Sequence, residues 1–174
     1  MKLVTWNVQW CRGVDGRVDP ARIVACAHAQ ADFDVLCLQE VAVGFPGLEG
    51  HDGSDQMAAL AAALPGYTPI YGAATDVPAP GGGRSRFGNA IFSRLPVKQV
   101  FRHALPWPAD PTVPSMQRLL LEAVIHTDAG ELRVGTTHLE YYSAAQRMAQ
   151  VEALRAIHAQ ACAHARAPRA AGRE

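Results

Sequence analysis

Short runs of consecutive apolar residues recur along the chain and alternate with segments whose apolar residues are spaced three or four apart. Apolar runs of this length are typical of strands buried within a sheet. The predicted strands are residues 2–8, 34–40, 67–72, 87–93, 97–105, 116–127 and 131–139. The wider spacing is typical of one apolar side of a helix. The predicted helices are residues 20–31, 56–64 and 144–165. Strands that alternate with helices favour a layered α/β domain.

The predicted helices begin at residues that are typical of helix caps. Asp19 followed by Pro20 fits an N-cap and a first helical position, and Ser143 has the cap role before the last helix. Along that last helix, one stripe of apolar residues is predicted to be buried: Met148, Val151, Leu154, Ile157 and Cys162. Arg147 and Gln150 share one face of it. We expect them to tie the helix to the loop that follows the last strand.

Residues 73–86 interrupt the strand pattern with two prolines and three consecutive glycines. The segment is therefore predicted to be a loop. It is not a nucleotide-binding P-loop, because no Gly-Lys-Ser/Thr follows the glycines and no helix begins there. Two interpretations stay open from the sequence: a basic flap over a phosphate, or a plain flexible connector.

Three predicted strands end in polar side chains on an otherwise apolar scaffold. The first carries Asn7 near its end, the second delivers Gln39 and Glu40, and the last reaches His138. A carboxylate suits a hard cation such as Mg²⁺, an amide can orient its neighbours, and an imidazole can transfer a proton. Each residue alone has a plainer interpretation, because a strand-end glutamate can simply be solvated and a lone histidine can be structural. Together they predict a site for a divalent cation and a phosphate.

Four motifs extend this pattern to most of the chain. They are TWNV at residues 5–8, DVLCLQEV at 34–41, FGNAIFSRLPV at 87–97 and GTTHLE at 135–140. In this order and rough spacing they resemble the endonuclease/exonuclease/phosphatase superfamily, over about residues 2–154. Its members are metal-dependent phosphodiesterases and phosphatases, including DNase I-like nucleases and sphingomyelinases. The resemblance implies a DNase I-like α/β sandwich, with β-sheets inside, helices outside and the active site at one rim of the sheets.

The resemblance also implies roles for individual residues. Glu40 matches the glutamate that ligates the catalytic Mg²⁺ or Mn²⁺, and Asn7 matches the catalytic amide beside that metal. His138 matches the histidine that contacts the scissile phosphate, as general acid or as stabiliser of the transition state. Asn89 and Arg118 are candidate contacts to the substrate phosphate. The implied substrate is a phosphodiester, whether in nucleic acid, in a phospholipid or in a small phosphoester.

The superfamily pattern continues past the last predicted helix with Gly-Asp-Phe-Asn and later Ser-Asp-His, which supply a central carboxylate and the base that activates water. Neither string occurs in the 174 residues. We therefore expect the N-terminal portion of such an enzyme, with the C-terminal part of the second sheet missing and hydrolysis impaired or absent. The inner face of the first sheet is then expected to be exposed, which favours self-association. The alternatives are a non-catalytic module that pairs through this face, and a half-enzyme that a partner completes.

Length, charge and cysteine content limit the classes of protein to which the chain can belong. A chain of 174 residues is enough for one domain, predicted as residues 1–167 followed by a flexible tail at 168–174. The formal net charge is zero, so the bulk composition gives no sign of a polyanion-binding protein. The four cysteines lack zinc-ligand spacing, and Cys37 is predicted to be a core residue. With neither a signal segment nor a membrane-length apolar run visible, we expect a cytoplasmic protein.

Overall fold

Two β-sheets pack face to face, with helices outside, in the computed structural model, which describes residues 1–167. The strands in chain order are β1 (Leu3–Asn7), β2 (Val35–Val43), β3 (Thr68–Pro78), β4 (Arg84–Ser93), β5 (Val97–Ala104), β6 (Leu119–Thr127) and β7 (Gly130–Thr137). The helices are α1 (Pro20–Gln30), α2 (Gln56–Ala63) and α3 (Ala144–Arg166). The predicted tail at residues 168–174 lies outside the described residues.

The strand order brings the ends of β1 and β2 together. One sheet has the order β1-β2-β4-β3 and the other has the order β5-β6-β7. β1 and β2 are parallel, whereas the other strand pairs are antiparallel. The parallel register places Asn7 opposite Gln39 at one edge of the sheet. The layered α/β architecture predicted from the alternation of strands and helices is confirmed.

Two apolar layers hold the sheets and helices together. One lies between the sheets, where Val35, Cys37 and Ile91 of the larger sheet meet Leu121 and Ile125 of the smaller one. The other lies between the larger sheet and the helices α1 and α2. Burial raises the pKa of Cys37 to about 12. The thiol therefore stays neutral at pH 7 and behaves as a small core hydrophobe, as predicted.

The inner face of the four-stranded sheet is covered, so the prediction of an exposed face is wrong. Val35 and Ile91 are fully buried and Cys37 is 2% exposed, because the three-stranded sheet packs over them. At the β1 edge, by contrast, Leu3 is 43% and Trp6 is 37% exposed. Self-association and a non-catalytic pairing module both depended on the open face. Neither has that support in the part of the chain that the structure describes.

Residues 73–86 form a long β-hairpin arm rather than the predicted loop. β3 runs on through Pro78 and β4 begins at Arg84, so that only residues 79–83 form the turn. The prediction is wrong because glycine and proline usually interrupt strands, whereas here they occupy the turn and the outer end of β3. An ion pair of 2.7 Å between Arg84 and Asp76 joins the two strands beside the turn.

Helix α3 buries polar side chains rather than the predicted apolar stripe. Gln146 and Gln150 are at most 1% exposed, whereas Met148 is 58% exposed and the other four stripe residues are half-buried. The buried amides bind the loop that precedes β6. Gln146 Nε2 donates to the Pro108 carbonyl (2.7 Å), and Gln150 Nε2 donates to the Pro106 carbonyl (3.3 Å). The apolar pattern misled here because the first turns of α3 contact backbone carbonyls instead of a sheet.

The ends of the helices follow their capping residues. Asp19 and Ser143 each accept a hydrogen bond from the backbone three residues later, which confirms both predicted caps. β6 begins at Leu119, three residues later than predicted, so Arg118 lies in the loop before the strand. Within residues 1–167, no helix combines the length and the hydrophobicity that a membrane crossing needs.

Candidate active site

Polar residues at the end of β1, in a bulge of β2 and directly after β7 meet at one edge of the sandwich. β2 continues to Val43, so Glu40 does not end its strand as predicted. Asn7 Nδ2 donates a hydrogen bond of 2.8 Å to Glu40 Oε1. His138 directly follows β7, and its Nδ1 lies 3.5 Å from the same oxygen. Because β1 and β2 are parallel, their carboxyl ends lie at the same edge. The structure therefore brings together the three residues that the strand ends predicted.

Glu40 has an unusual backbone conformation. Its φ is 62°, in the left-handed region, and the pairing of β2 with β4 shifts register between Leu38 and Val41. Glu40 thus lies in a β-bulge, a feature that re-aims a side chain. A non-glycine residue in such a conformation costs on the order of 1–3 kcal/mol and persists where the surrounding fold enforces it, often at functional sites. Here the bulge brings the carboxylate to Asn7 and His138.

Two substitutions separate this strain from the carboxylate. We expect Glu40→Gly to be about 1 kcal/mol more stable than Glu40→Ala, because glycine adopts a positive φ without the steric cost of a Cβ. Both variants lack the carboxylate, so they differ in backbone freedom alone. Urea-induced unfolding of the two proteins measures the difference. At an unstrained position glycine is less stable than alanine by about 0.5–1 kcal/mol, so a Glu40→Ala variant more stable than Glu40→Gly by that amount would show that the backbone is not strained.

Gln39 joins the two sheets one residue before Glu40. Its Nε2 donates to Thr5 Oγ1 at 3.1 Å and to Thr136 Oγ1 at 2.7 Å. Thr136 lies in β7, two residues before His138. The buried amide therefore links the strand that carries Glu40 to the strand that carries His138, and it fixes the separation of the two side chains.

Arg118 connects His138 to a buried carboxylate, Glu140. Its Nη1 lies 3.0 Å from His138 Nδ1, and its Nη2 lies 3.3 Å from Glu140 Oε2. Arg118 is 8% and Glu140 is 1% exposed. Burial alone would raise the pKa of Glu140, but the backbone N–H of Tyr142 and the charge of Arg118 outweigh it and lower the pKa below its ordinary value. Glu140 is therefore ionised at neutral pH and forms an ion pair with Arg118.

The contact with Arg118 fixes the tautomer of His138. A guanidinium can only donate hydrogen bonds, so Nδ1 accepts and the ring proton resides on Nε2. Burial and the positive charge of Arg118 lower the pKa of His138, and the carboxylates of Glu40 and Glu140 offset this only in part. The imidazole is therefore neutral at pH 7. The 3.5 Å contact of His138 Nδ1 with Glu40 Oε1 is consequently not an ion pair. Both atoms are hydrogen-bond acceptors and repel each other, and a cation bound to the Glu40 carboxylate would reduce this repulsion.

These groups line a pocket of about 480 Å³. The polar part of the lining consists of Asn7, Glu40, Arg118 and His138. The rest is apolar or aromatic: Trp10, Phe45, Leu48, Phe87, Met116, Tyr141 and Tyr142. The volume lies in the range of about 300–1,000 Å³ that is typical of small-molecule sites. The pocket is therefore large enough for a phosphate together with an attached organic group.

Asn89 lies beside this pocket rather than on its lining. It is 3% exposed, and its Nδ2 donates to the Leu119 carbonyl at 3.1 Å, which links β4 to β6. It borders a narrow crevice that Glu40 and His138 also border. A direct contact between Asn89 and a phosphate stays a prediction.

Residues 4–165 match the family model described as "Endonuclease/Exonuclease/phosphatase family". The chain belongs to the endonuclease/exonuclease/phosphatase family. Members of this family are hydrolases that act on phosphoesters. A solved endonuclease/exonuclease/phosphatase from Beutenbergia cavernae DSM 12333 is similar to the chain with 31% identity and a TM-score of 0.70. The match covers 89% of this chain and 42% of that one.

Two further solved structures share the endonuclease/exonuclease/phosphatase fold. A mannosyl-6-phosphatase from Bacteroides thetaiotaomicron VPI-5482 has 19% identity and a TM-score of 0.63, over 91% of this chain and 58% of that one. A functionally unknown conserved protein from Enterococcus faecalis V583 has 19% identity and a TM-score of 0.60, over 91% of this chain and 61% of that one. The chain thus spans 42% to 61% of the length of these three structures. No curated protein sequence matches it.

The oxygen donors at this edge of the sandwich are of the kind that a hard cation takes. Glu40 accepts from Asn7 through Oε1, and its Oε2 forms no hydrogen bond within residues 1–167. Mg²⁺ typically binds one or two carboxylates and keeps several waters. Among the described residues, no group of three or more His, Cys, Asp or Glu is arranged to enclose an ion. The described residues therefore do not form a closed structural zinc site, and the Glu40 carboxylate is an oxygen donor of the kind that a hard cation takes.

Glu140 is a supporting residue that the sequence reasoning missed. The sequence contains a sign of this role, because Glu140 is the last residue of the GTTHLE motif and lies two residues after His138. In an extended segment, side chains two residues apart point to the same side.

The predicted tie between α3 and the loop after β7 is confirmed. Gln150 Oε1 accepts from the Glu140 backbone N–H (2.8 Å), and Arg147 Nη1 donates to the Glu140 carbonyl (2.9 Å).

Proposed function

We propose that this chain forms the cation- and phosphate-binding part of a Mg²⁺- or Mn²⁺-dependent phosphoester hydrolase. The observation that carries the proposal is the unbroken series of contacts from Asn7 through Glu40 and His138 to Arg118 at one pocket. It combines an oxygen ligand for a cation with a hydrogen-bond donor for a phosphate. Family membership supports a phosphoester as the substrate. Phosphodiesters in nucleic acid, in phospholipids and in small phosphoesters all belong to this class.

Glu40 is the proposed ligand of the cation, and Asn7 positions it. Asn7 Nδ2 donates to Glu40 Oε1, while Asn7 Oδ1 accepts from the Gln9 backbone N–H at 3.0 Å. Both ends of the amide are therefore engaged, which fixes its orientation and leaves Glu40 Oε2 for the metal. When bound, a divalent cation polarises a phosphoryl oxygen and neutralises part of the phosphate charge.

His138 and Arg118 are the proposed contacts to the phosphate. His138 Nε2–H has no partner among residues 1–167, so it can donate to a phosphoryl oxygen. Such a bond strengthens as negative charge builds up in the transition state. Arg118 adds positive charge at the same pocket, and its contact with Nδ1 holds the imidazole in the donating tautomer. Asn89 is a weaker candidate, because the Leu119 carbonyl already holds its Nδ2.

A free general base is absent from the described lining of the pocket. Glu40 is assigned to the cation, and His138 Nδ1 is occupied by Arg118. A positioned base typically contributes about 10²–10⁴-fold to the rate. We therefore infer that hydrolysis by these residues alone is slower by a factor of about that size than in an enzyme that has such a base.

Hydrolysis of bis-p-nitrophenyl phosphate tests the proposed function. With protein shown to be folded by circular dichroism, we expect turnover above the protein-free blank in Mg²⁺ or Mn²⁺, and none in EDTA. His138→Gln is expected to lower this turnover by about 10²-fold. His164→Gln, at an exposed position of α3, is the matched control and should have no effect. Turnover that persists in EDTA, or metal-dependent turnover that is unchanged in His138→Gln, would refute the proposal.

A further inference from the structure

The pocket carries more aromatic surface than a phosphate needs. The lining contains one of the three Trp residues of the chain, two of its four Tyr residues and two of its five Phe residues. A phosphate and its cation form contacts with polar atoms, so an aromatic lining contributes nothing to their binding. This lining therefore points to the organic group of the ligand, since flat rings pack well against aromatic side chains.

Trp10 is held rigidly beside the proposed cation ligand. Its φ is 44°, between Gln9 at 47° and Cys11 at 59°, so three consecutive non-glycine residues adopt left-handed conformations. Its indole Nε1 donates to the Glu49 carbonyl at 2.9 Å, and its backbone N–H donates to the Glu40 carbonyl at 2.7 Å. Backbone strain of this kind clusters at functional sites. The Trp10 carbonyl accepts from Gln56 Nε2 at 2.6 Å, so all three polar groups of Trp10 are engaged and the ring can offer a ligand only its apolar surface.

Tyr141 and Tyr142 add two exposed rings to the same pocket. They are 73% and 60% exposed, and their ring centroids lie 5.0 Å apart at an angle of 89°. The backbone around them is fixed, because Arg147 Nη1 donates to the Tyr141 carbonyl at 2.9 Å and the Tyr142 backbone N–H donates to Glu140 at 3.0 Å. Exposed rings on a fixed backbone are suited to stacking on a flat ligand group.

We propose that the pocket binds phosphoesters whose organic group is a planar aromatic ring, such as a nucleobase, stacked against Trp10, Tyr141 and Tyr142. This inference rests on the proposed function, because a phosphate held at Glu40 and His138 is what places the ring. The pocket contains one guanidinium, which is already paired, and the formal net charge of the chain is zero. The site therefore suits one phosphate with an attached ring rather than a long phosphate backbone.

Calorimetric titration of the full chain in Mg²⁺ tests the inference with phenyl phosphate, thymidine 5′-monophosphate, glucose 6-phosphate and methyl phosphate. We expect the two aromatic ligands to bind at least about tenfold more tightly than the other two. In the double variant Tyr141→Ala/Tyr142→Ala this advantage is expected to fall below about threefold. Both tyrosines are exposed, so we expect the double variant to fold. It leaves Trp10, which is more deeply embedded in the fold, unchanged. Trp107→Ala, at a 45% exposed aromatic outside the pocket, is the matched control and should keep the full preference.

The outcomes distinguish this inference from the function on which it rests. Three outcomes would overturn the inference while leaving the proposed phosphate site intact. They are equal affinity for phenyl and methyl phosphate, equal affinity for glucose 6-phosphate and the nucleotide, and an aromatic preference that the double variant retains. Thymidine without a phosphate is the further ligand. If it binds as tightly as its monophosphate, the phosphate contributes nothing to binding, and the proposed function fails together with the inference that rests on it. If no ligand binds, both fail.

Discussion

Methionine in place of Arg118 is expected to lower the free energy of unfolding by about 3–5 kcal/mol. Arg118 and its partner Glu140 are 8% and 1% exposed, so the substitution leaves a carboxylate buried without its countercharge. An unpaired buried charge is among the most destabilising changes in a fold, whereas methionine preserves most of the packing volume. Urea-induced unfolding followed by circular dichroism measures the loss.

A second variant shows whether the charge or the packing is responsible. Arg118→Met combined with Glu140→Gln removes both charges, and we expect it to recover at least about half of the lost stability. Arg155→Met is the matched control, because Arg155 is exposed on α3 and pairs with Glu152 there. It should change stability by less than about 0.5 kcal/mol. A loss below about 1 kcal/mol in Arg118→Met would show that the ion pair does not hold this loop.

Glutamine in place of Glu40 is expected to weaken divalent-cation binding at least about 100-fold. Substituting a residue that only supports a metal ligand typically weakens metal binding by about 10–100-fold, which is less. Glutamine keeps the size of the side chain and an oxygen that can accept from Asn7. It removes the negative charge that a hard cation requires. Calorimetric titration with Mn²⁺ measures the affinity, and circular dichroism verifies that the variant is folded.

Two further variants give this experiment its controls. Glu152→Gln makes the same chemical change at an exposed position of α3, and we expect it to leave Mn²⁺ affinity unchanged. Asn7→Ala removes the residue that positions Glu40, and the expected loss of affinity is about 10–100-fold. An affinity in Glu40→Gln that equals the wild-type affinity would remove Glu40 from the cation site.

Apolar patterning predicts most of the fold because buried strands and amphipathic helices dominate it. The strand around Cys37 and the capped helix after Asp19 both follow from local sequence alone. Errors occur where tertiary partners override the pattern. The arm at residues 73–86 pairs its strands despite its prolines and glycines, and α3 buries Gln146 and Gln150 because backbone carbonyls of a neighbouring loop accept from them. Neither partner is visible in the local sequence.

The positions of the predicted strands are sufficient to predict part of the candidate site. Asn7 ends β1 and His138 directly follows β7, whereas Glu40 lies inside β2, which continues to Val43. The parallel pairing of β1 with β2 is sufficient to bring Asn7 and Glu40 together. The left-handed conformation of Glu40 and the contact of Arg118 with His138 depend instead on register and loop geometry. Such features arise from the three-dimensional pairing of distant segments, so no local pattern encodes them.

Anomalous diffraction from a crystal of the full chain grown with Mn²⁺ and inorganic phosphate shows whether Glu40 and His138 form the proposed site. We expect a Mn²⁺ peak within about 2.0–2.6 Å of a carboxylate oxygen of Glu40, the range of hard-cation–oxygen distances. We also expect a phosphate oxygen at hydrogen-bond distance, about 2.7–3.2 Å, from His138 Nε2. Mn²⁺ bound elsewhere, with Glu40 uncoordinated and no phosphate beside His138, would rule out this site.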